Sequence, residues 1–275
     1  MPLKAVCLLQ AEHKTYAPIV VRSVDKLKNT VHFGLRQVTG TRLTLGILTM
    51  AALVFVASIN SLVHQFREMA VLPCGYHIEF VLTALQSDTI ATLTPILAVL
   101  PYTANYIDDV KNKFVRFFLI RTDYASYLIS RIVFCFLSGG LVIIAGAMLA
   151  WGASALLFLP MEKVAEAPSE AITLLLKTCV LLFLNGGLWA VLGMTMSTIM
   201  ESKYIAYASP FIVYYILVIL HERYFPNFWL LSPKTWPKLE LWPYGIGSAA
   251  LFLLELTFLC SLIFYIRGRR RLENL

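Results

Sequence analysis

The residue with the most demanding chemistry is a lone acid. Glu255 stands near the middle of the apolar run 244–266, where a carboxylate costs on the order of 2.5–3.5 kcal/mol on insertion scales unless it is paired or protonated. Two roles fit it equally: facing a polar cavity or translocation path, or packing one helix on another as a protonated or hydrogen-bonded contact. His221 and Glu222 at the end of the preceding run would be its companions in a membrane-embedded enzyme. Against that class, the loops supply no convergent set of His, Asp and Glu of metal or nucleophile type. The Gly-x-Ser of Trp151-Gly152-Ala153-Ser154 suits an intramembrane serine nucleophile, but His64, His77 and His221 all fall near the ends of apolar runs, so a small-residue helix contact is the preferred reading. Cys7, Cys74, Cys135, Cys179 and Cys260 are scattered without CxxC or Cys/His spacing, and neither a disulfide framework nor a metal site is expected. Lys177 lies one to two turns inside its run, close enough to the edge to snorkel.

A second polar group occupies the stretch from Pro101 to Arg131. From Ile107 onward, Ile107, Val110, Phe114, Phe117 and Phe118 recur at helical spacing and share one face, with Asp109, Asn112, Lys113 and Arg116 on the other. The acids come first and the bases last, as a helix dipole prefers, and Asp109 and Lys113 are four apart. The pattern predicts a short amphipathic helix that either lies on a membrane surface or docks on a soluble partner. The plainer alternative is a loop helix that only links two spans.

The elements around these residues are set by composition. Of 275 residues, 59% are hydrophobic and 14% charged, with a mean hydropathy of +0.73. A soluble domain carries roughly a quarter charged residues, so the chain is expected to live in a bilayer. The net charge of +7 does not point to nucleic acid, because the basic residues sit at the edges of apolar runs.

In order, residues 1–42 form a basic cytoplasmic or interfacial segment, with 19–36 drawn as an interfacial helix. No cleavable signal is expected, because the first apolar run begins only after Arg42. Six spans follow at about 43–63, 89–106, 124–158, 172–199, 204–221 and 244–266, each with the roughly 20 residues needed to cross about 30 Å of hydrocarbon. Residues 64–88 read as an outside segment, with Ser87 or Asp88 capping the second span and Pro95 and Pro101 interrupting it. The third span is rich in Ser138, Gly139, Gly140, Gly146 and Gly152, which let helices approach closely in lipid. The segment 223–243 carries Trp229, Trp236 and Trp242 among four prolines and suits an outer interface or re-entrant hairpin. Residues 267–275 are a basic cytoplasmic tail. With both termini inside, the 23 Lys and Arg residues divide 17 to 6 in favour of the inner side, and this asymmetry sets the expected orientation. The fold class is thus an all-α integral membrane protein of six helices with both ends cytoplasmic. Leu137-Ser138-Gly139-Gly140 lies inside an apolar run as a packing motif, and there is no GxxxxGK[ST] loop to cradle phosphate. The chain is not expected to hydrolyse ATP or to be an enzyme.

Leu100-Pro101-Tyr102, Asp108-Asp109, Arg121, and Tyr127-Leu128 with Arg131, set in this topology, resemble the permease subunit of ABC-2 type transporters, a family of bacterial exporters. Many members of the family carry a glutamate where Asp108 or Asp109 stands. The resemblance implies two permease chains, identical or paralogous, enclosing a path with the second and fifth spans nearest the axis. It implies a separate cytosolic ATPase that holds ATP and Mg, and no cofactor on this chain. Asp108, Asp109, Lys113, Arg116 and Arg121, on the helix 107–121, would couple to that ATPase, steadied by the N-terminal interfacial helix. Thr92, Thr103, Tyr207, Tyr214 and Glu255 are polar enough to face the path. The location implied is the bacterial plasma membrane, among lipids, and the cargo a drug, antibiotic peptide or other amphipathic molecule. The competing classes are the membrane enzyme using Glu255 and His221, and a membrane scaffold.

Overall fold

A computed structural model describes residues 40–59, 72–115, 123–162 and 169–273. The interfacial helix expected at 19–36 lies outside the described residues, as do Arg116, Arg121 and the end of the first span. The described chain is helical, in the order α1 (Thr41–Ala57), α2 (Tyr76–Leu85), α3 (Asp88–Val99), α4 (Asn105–Lys111), α5 (Tyr124–Phe158), α6 (Ser169–Met200), α7 (Lys203–Arg223) and α8 (Ile246–Glu273). Four helices, α5 to α8, are long and apolar enough to cross a membrane, and α2 with α3 makes a fifth if the pair, bent by 68°, is one span. The apolar α1 is shorter, at 17 residues.

Two elements differ from the expected layout. The segment 64–88 contains the ten-residue α2, whose Tyr76, Ile78, Phe80, Val81, Ala84 and Leu85 are buried. It packs against α1 and α5, with the Phe80 and Phe158 rings 5.2 Å apart. The helix expected to run to 106 ends at Val99, where Pro101 has no N–H to continue the ladder, although Leu100 keeps helical dihedrals. Ser87 caps α3 as expected, its hydroxyl accepting from the Ile90 amide at 3.3 Å.

The centre of the bundle is the pair α5 and α6, which cross where glycines let the backbones touch. A Cβ added to Gly139 would lie 2.7 Å from the Gly186 carbonyl oxygen, and one added to Gly186 would lie 2.8 Å from that of Gly139. On either side the fit is reciprocal. Phe183 fills the notch at Gly140, Phe136 fills the notch at Gly187, and the two rings meet edge-on at 5.6 Å. Small residues give this close approach in lipid, where dispersion contacts rather than hydrophobicity hold helices together. Around this pair, α1 and α2 pack on α5, while α3, α7 and α8 pack on α6. Between α7 and α8 the tryptophan segment folds back on the bundle, stacking Trp236 on Trp189 of α6 at 5.7 Å.

Candidate functional site

The polar stretch after Pro101 builds a compact junction. Residues 101–104 turn the chain, and α4 then buries Tyr106, Ile107 and Val110. The helix stops early. Lys113 has a φ of 57°, a left-handed conformation that ends a helix, and the Lys113 amide bonds back to the Val110 carbonyl at 3.1 Å. The helix expected over 107–121 is therefore interrupted at Lys113, and the four-residue spacing of Asp109 and Lys113 no longer aligns them.

Asp109 is held by Arg131 instead. This arginine lies two turns into α5, is 3% exposed, and gives one nitrogen to the Asp109 carboxylate and the other to the Tyr102 hydroxyl at 2.5 Å. Its guanidinium also lies 5.0 Å from the centre of the Tyr127 ring and 5.7 Å from that of Tyr102, within cation–π range. A guanidinium buried in protein requires such partners, so α4, the turn before it and α5 are joined through one side chain. Burial pushes the Asp109 carboxyl above its ordinary range; the nearby guanidinium pulls it back in part, and neighbouring Asp108 adds to the rise. The last helix joins the junction too, with Tyr106 against Phe264 of α8 at 4.8 Å.

Beside α4 lies an open cleft of about 430 Å³, with Gly40, Thr41 and Arg42 on one side and Pro101, Asn105, Asp108 and Asp109 on the other. Asp108 is half-buried here and has no ion-pair partner among the described residues. The two acids are therefore unlike: Asp109 is committed within the chain, whereas Asp108 faces the opening.

The other residues expected to carry function are dispersed. The Thr92 and Tyr214 hydroxyls hydrogen-bond to each other at 3.1 Å and tie α3 to α7. Tyr214 and Thr103 are each only 1% exposed inside the chain. The Tyr207 hydroxyl accepts from Arg42 at 3.4 Å, linking α7 to α1. Glu255 is exposed on the outer face of α8. Glu222 pairs with Lys234 at 2.9 Å. Ser154 donates to the carbonyls of Trp151 and His77, and the His77 ring is engaged by Glu162, so these residues form no nucleophile–base pair. Among the described residues no group of three or more His, Cys, Asp and Glu could hold a metal.

Glu162 carries no signal in the local sequence. Its carboxylate accepts from the amides of Gly75 and His77, at 3.1 and 2.7 Å, and meets the His77 ring at 2.8 Å. It caps α2 from a position 85 residues further along the chain, beyond the reach of local capping patterns. Burial alone would raise this carboxyl, but the two amides and the His77 ring outweigh it and hold its pKa below the ordinary value. Because the folded value is depressed, the stabilisation is complete above the unfolded carboxyl's pKa of about 4.3 and is lost as pH falls through the folded value. Glu162→Gln should cost about 1.5–3 kcal/mol at neutral pH. Melting curves in detergent should show the gap between wild type and variant closing on acidification; a gap independent of pH would refute the ionised cap.

No protein-family model matches this chain, and comparison with curated proteins finds no match.

Proposed function

We propose that this chain is the membrane-spanning permease subunit of an ATP-driven ABC-2 type exporter in a bacterial plasma membrane. In this reading it crosses the bilayer six times with both ends cytoplasmic, and a second chain completes a path for an amphipathic cargo. A separate cytosolic ATPase binds ATP and Mg. The observation that carries the reading is the α4 junction. A short helix between two apolar elements is pinned to the long α5 by Asp109 and Arg131, while its neighbour Asp108 opens on a polar cleft. An ATPase gripping that helix would push directly on α5, and through Tyr106 and Phe264 on α8.

Asp108 is the residue to test, because its loss leaves the Asp109–Arg131 pair in place and removes only the like charge beside it. Asp108→Ala should not lower the melting temperature of the purified chain. If the cleft receives a cationic side chain of the partner, truncation should weaken ATPase retention by about 2–5 kcal/mol. The measurement is the ATPase that co-purifies with the chain, together with cargo-dependent ATP turnover in proteoliposomes. Failure of any ATPase to co-purify with the wild-type chain would end the exporter reading. Unchanged retention in the variant would remove Asp108 from the interface.

A further inference from the structure

On α8, Leu251, Glu255, Phe258 and Leu262 are all exposed, at intervals of four, three and four, the spacing of a helix-pairing seam. Glu255 falls within the seam. The apolar window of α8 is 22% buried, against 50% in α5 and α6, so this helix has the largest unused face of the four. Its depth is also defined. Glu255 is nine residues from the start of α8 and twelve before Arg267, or about 14 and 18 Å along the axis. That sets it near the midplane of a hydrocarbon layer about 30 Å thick. Among the described residues it has no hydrogen-bond or ion-pair partner.

An acid at this depth facing lipid carries its full insertion cost, so the seam calls for a polar partner from outside the chain. A protonated carboxyl has one donor and a free acceptor, which makes it its own complement. In a two-fold dimer with its axis along the membrane normal, the two α8 helices run parallel and each residue near the axis meets its own counterpart. We propose that the α8 seam is the contact with a second copy of this chain, with Glu255 of each copy hydrogen-bonded to the other at the middle of the bilayer. A single polar residue in an apolar seam fixes register and oligomer state. The meaning of the contact rests on the two-chain exporter reading, in which a second chain completes the path. It departs from the arrangement that the family resemblance implies, with the second and fifth spans at the axis. Tyr214 of the fifth span and Thr103 in the turn after the second are buried within the chain, whereas Glu255 is not.

Single cysteines at Leu251, Phe258 and Leu262, with controls at Leu141 on α5 and Ile212 on α7, test the contact by oxidative cross-linking in native membranes. Wild-type chain controls for the natural cysteines. Disulfide-linked dimers should form at the three seam positions and remain at background at the two controls. In the Phe258→Cys chain, Glu255→Leu should lower cross-linking roughly five- to thirtyfold, the ratio expected for an interhelical hydrogen bond in lipid. Glu255→Gln, whose carboxamide also donates and accepts, should preserve it. Cross-linking at position 212 instead of the seam would overturn the proposal in favour of an axis at the fifth span. An undiminished dimer in Glu255→Leu would overturn the role of the acid, as would rapid labelling of a cysteine at 255 by a membrane-impermeant thiol reagent, which would mean standing water. ATPase retention, measured on the same membranes, separates the outcomes: its loss with seam cross-links intact would fail the exporter reading and leave the contact standing.

Discussion

Replacing Arg131 with methionine should destabilise the chain by about 3–5 kcal/mol, the cost of removing one partner from a buried ion pair. Methionine fills much of the volume, so little of the loss would be a cavity. The rest arises because Asp109, already pushed up by burial, loses the cation that favoured its ionised form. The pH dependence follows from that sign. With the folded pKa of Asp109 raised further above its unfolded value, the variant is best off where the carboxyl is protonated in both states, and it loses stability as pH rises through the folded value. The deficit should therefore shrink toward acid. Asp109→Asn combined with Arg131→Met should recover much of the loss, since the uncompensated charge is gone. Thermal unfolding in detergent across pH measures all three proteins. An Arg131→Met chain that melts like wild type would mean that the junction contributes nothing to the fold.

The second large effect is expected at the helix crossing. Gly139→Val would bring a Cβ to 2.5 Å from that of Ala190, 2.7 Å from the Gly186 carbonyl oxygen and 3.1 Å from that of Ala98. Two of these three neighbours are backbone atoms, which cannot rotate aside. Overpacking of a tight core costs about 1–3 kcal/mol, and a clash against backbone belongs at or above the top of that range. The control lies in the same helix. Nothing stands within 4 Å of a Cβ added at Gly152, so Gly152→Ala should be neutral or gain up to about 1 kcal/mol of helix propensity. Equal melting temperatures for Gly139→Val and Gly152→Ala would contradict the glycine-to-glycine contact.

The long apolar helices were legible because their signal is local and long. The run after Asp123 predicts α5 at 124–158, and α5 is Tyr124–Phe158. Of the small residues of that run, Gly139 and Gly140 meet α6, whereas Gly146 meets Met50 and Ile47 of α1 and Gly152 meets nothing. The buried α2 was hidden because a ten-residue stretch that includes His77 and Glu79 is too short to read as a span and too mixed to read as a core helix. The end of α4 was illegible for another reason: Lys113 takes a left-handed conformation that no glycine or asparagine announces. At the candidate site, the acids of α4 were visible in the sequence, but their division of labour was not. Which of Asp108 and Asp109 meets Arg131 depends on how α4 is rotated against α5, and that is decided by the burial of Tyr106, Ile107 and Val110. Glu255 was conspicuous by its depth, while its exposure depends on which face of α8 packs on α6.

The interlocked notches at the α5–α6 crossing also bear on how the molecule can move. Each phenylalanine sits in the other helix's glycine notch, at Gly140 and Gly187. Sliding one helix past the other by a turn would have to lift both rings out at once. Such a pair has discrete positions rather than a continuum of them, so the two helices should move together as one body. Displacement must then be taken up at the periphery, where α1 and α7 meet through an exposed hydrogen bond between Arg42 and Tyr207 and where the polar ties of the tryptophan segment to α3 and α7, the Lys238–Asp88 and Lys234–Glu222 ion pairs, are parted by about 1 kcal/mol or less each. Amide exchange should follow the same division, slowest around Gly139 and Gly186 and fastest at the rim, because local opening is cheapest where buried contacts are fewest.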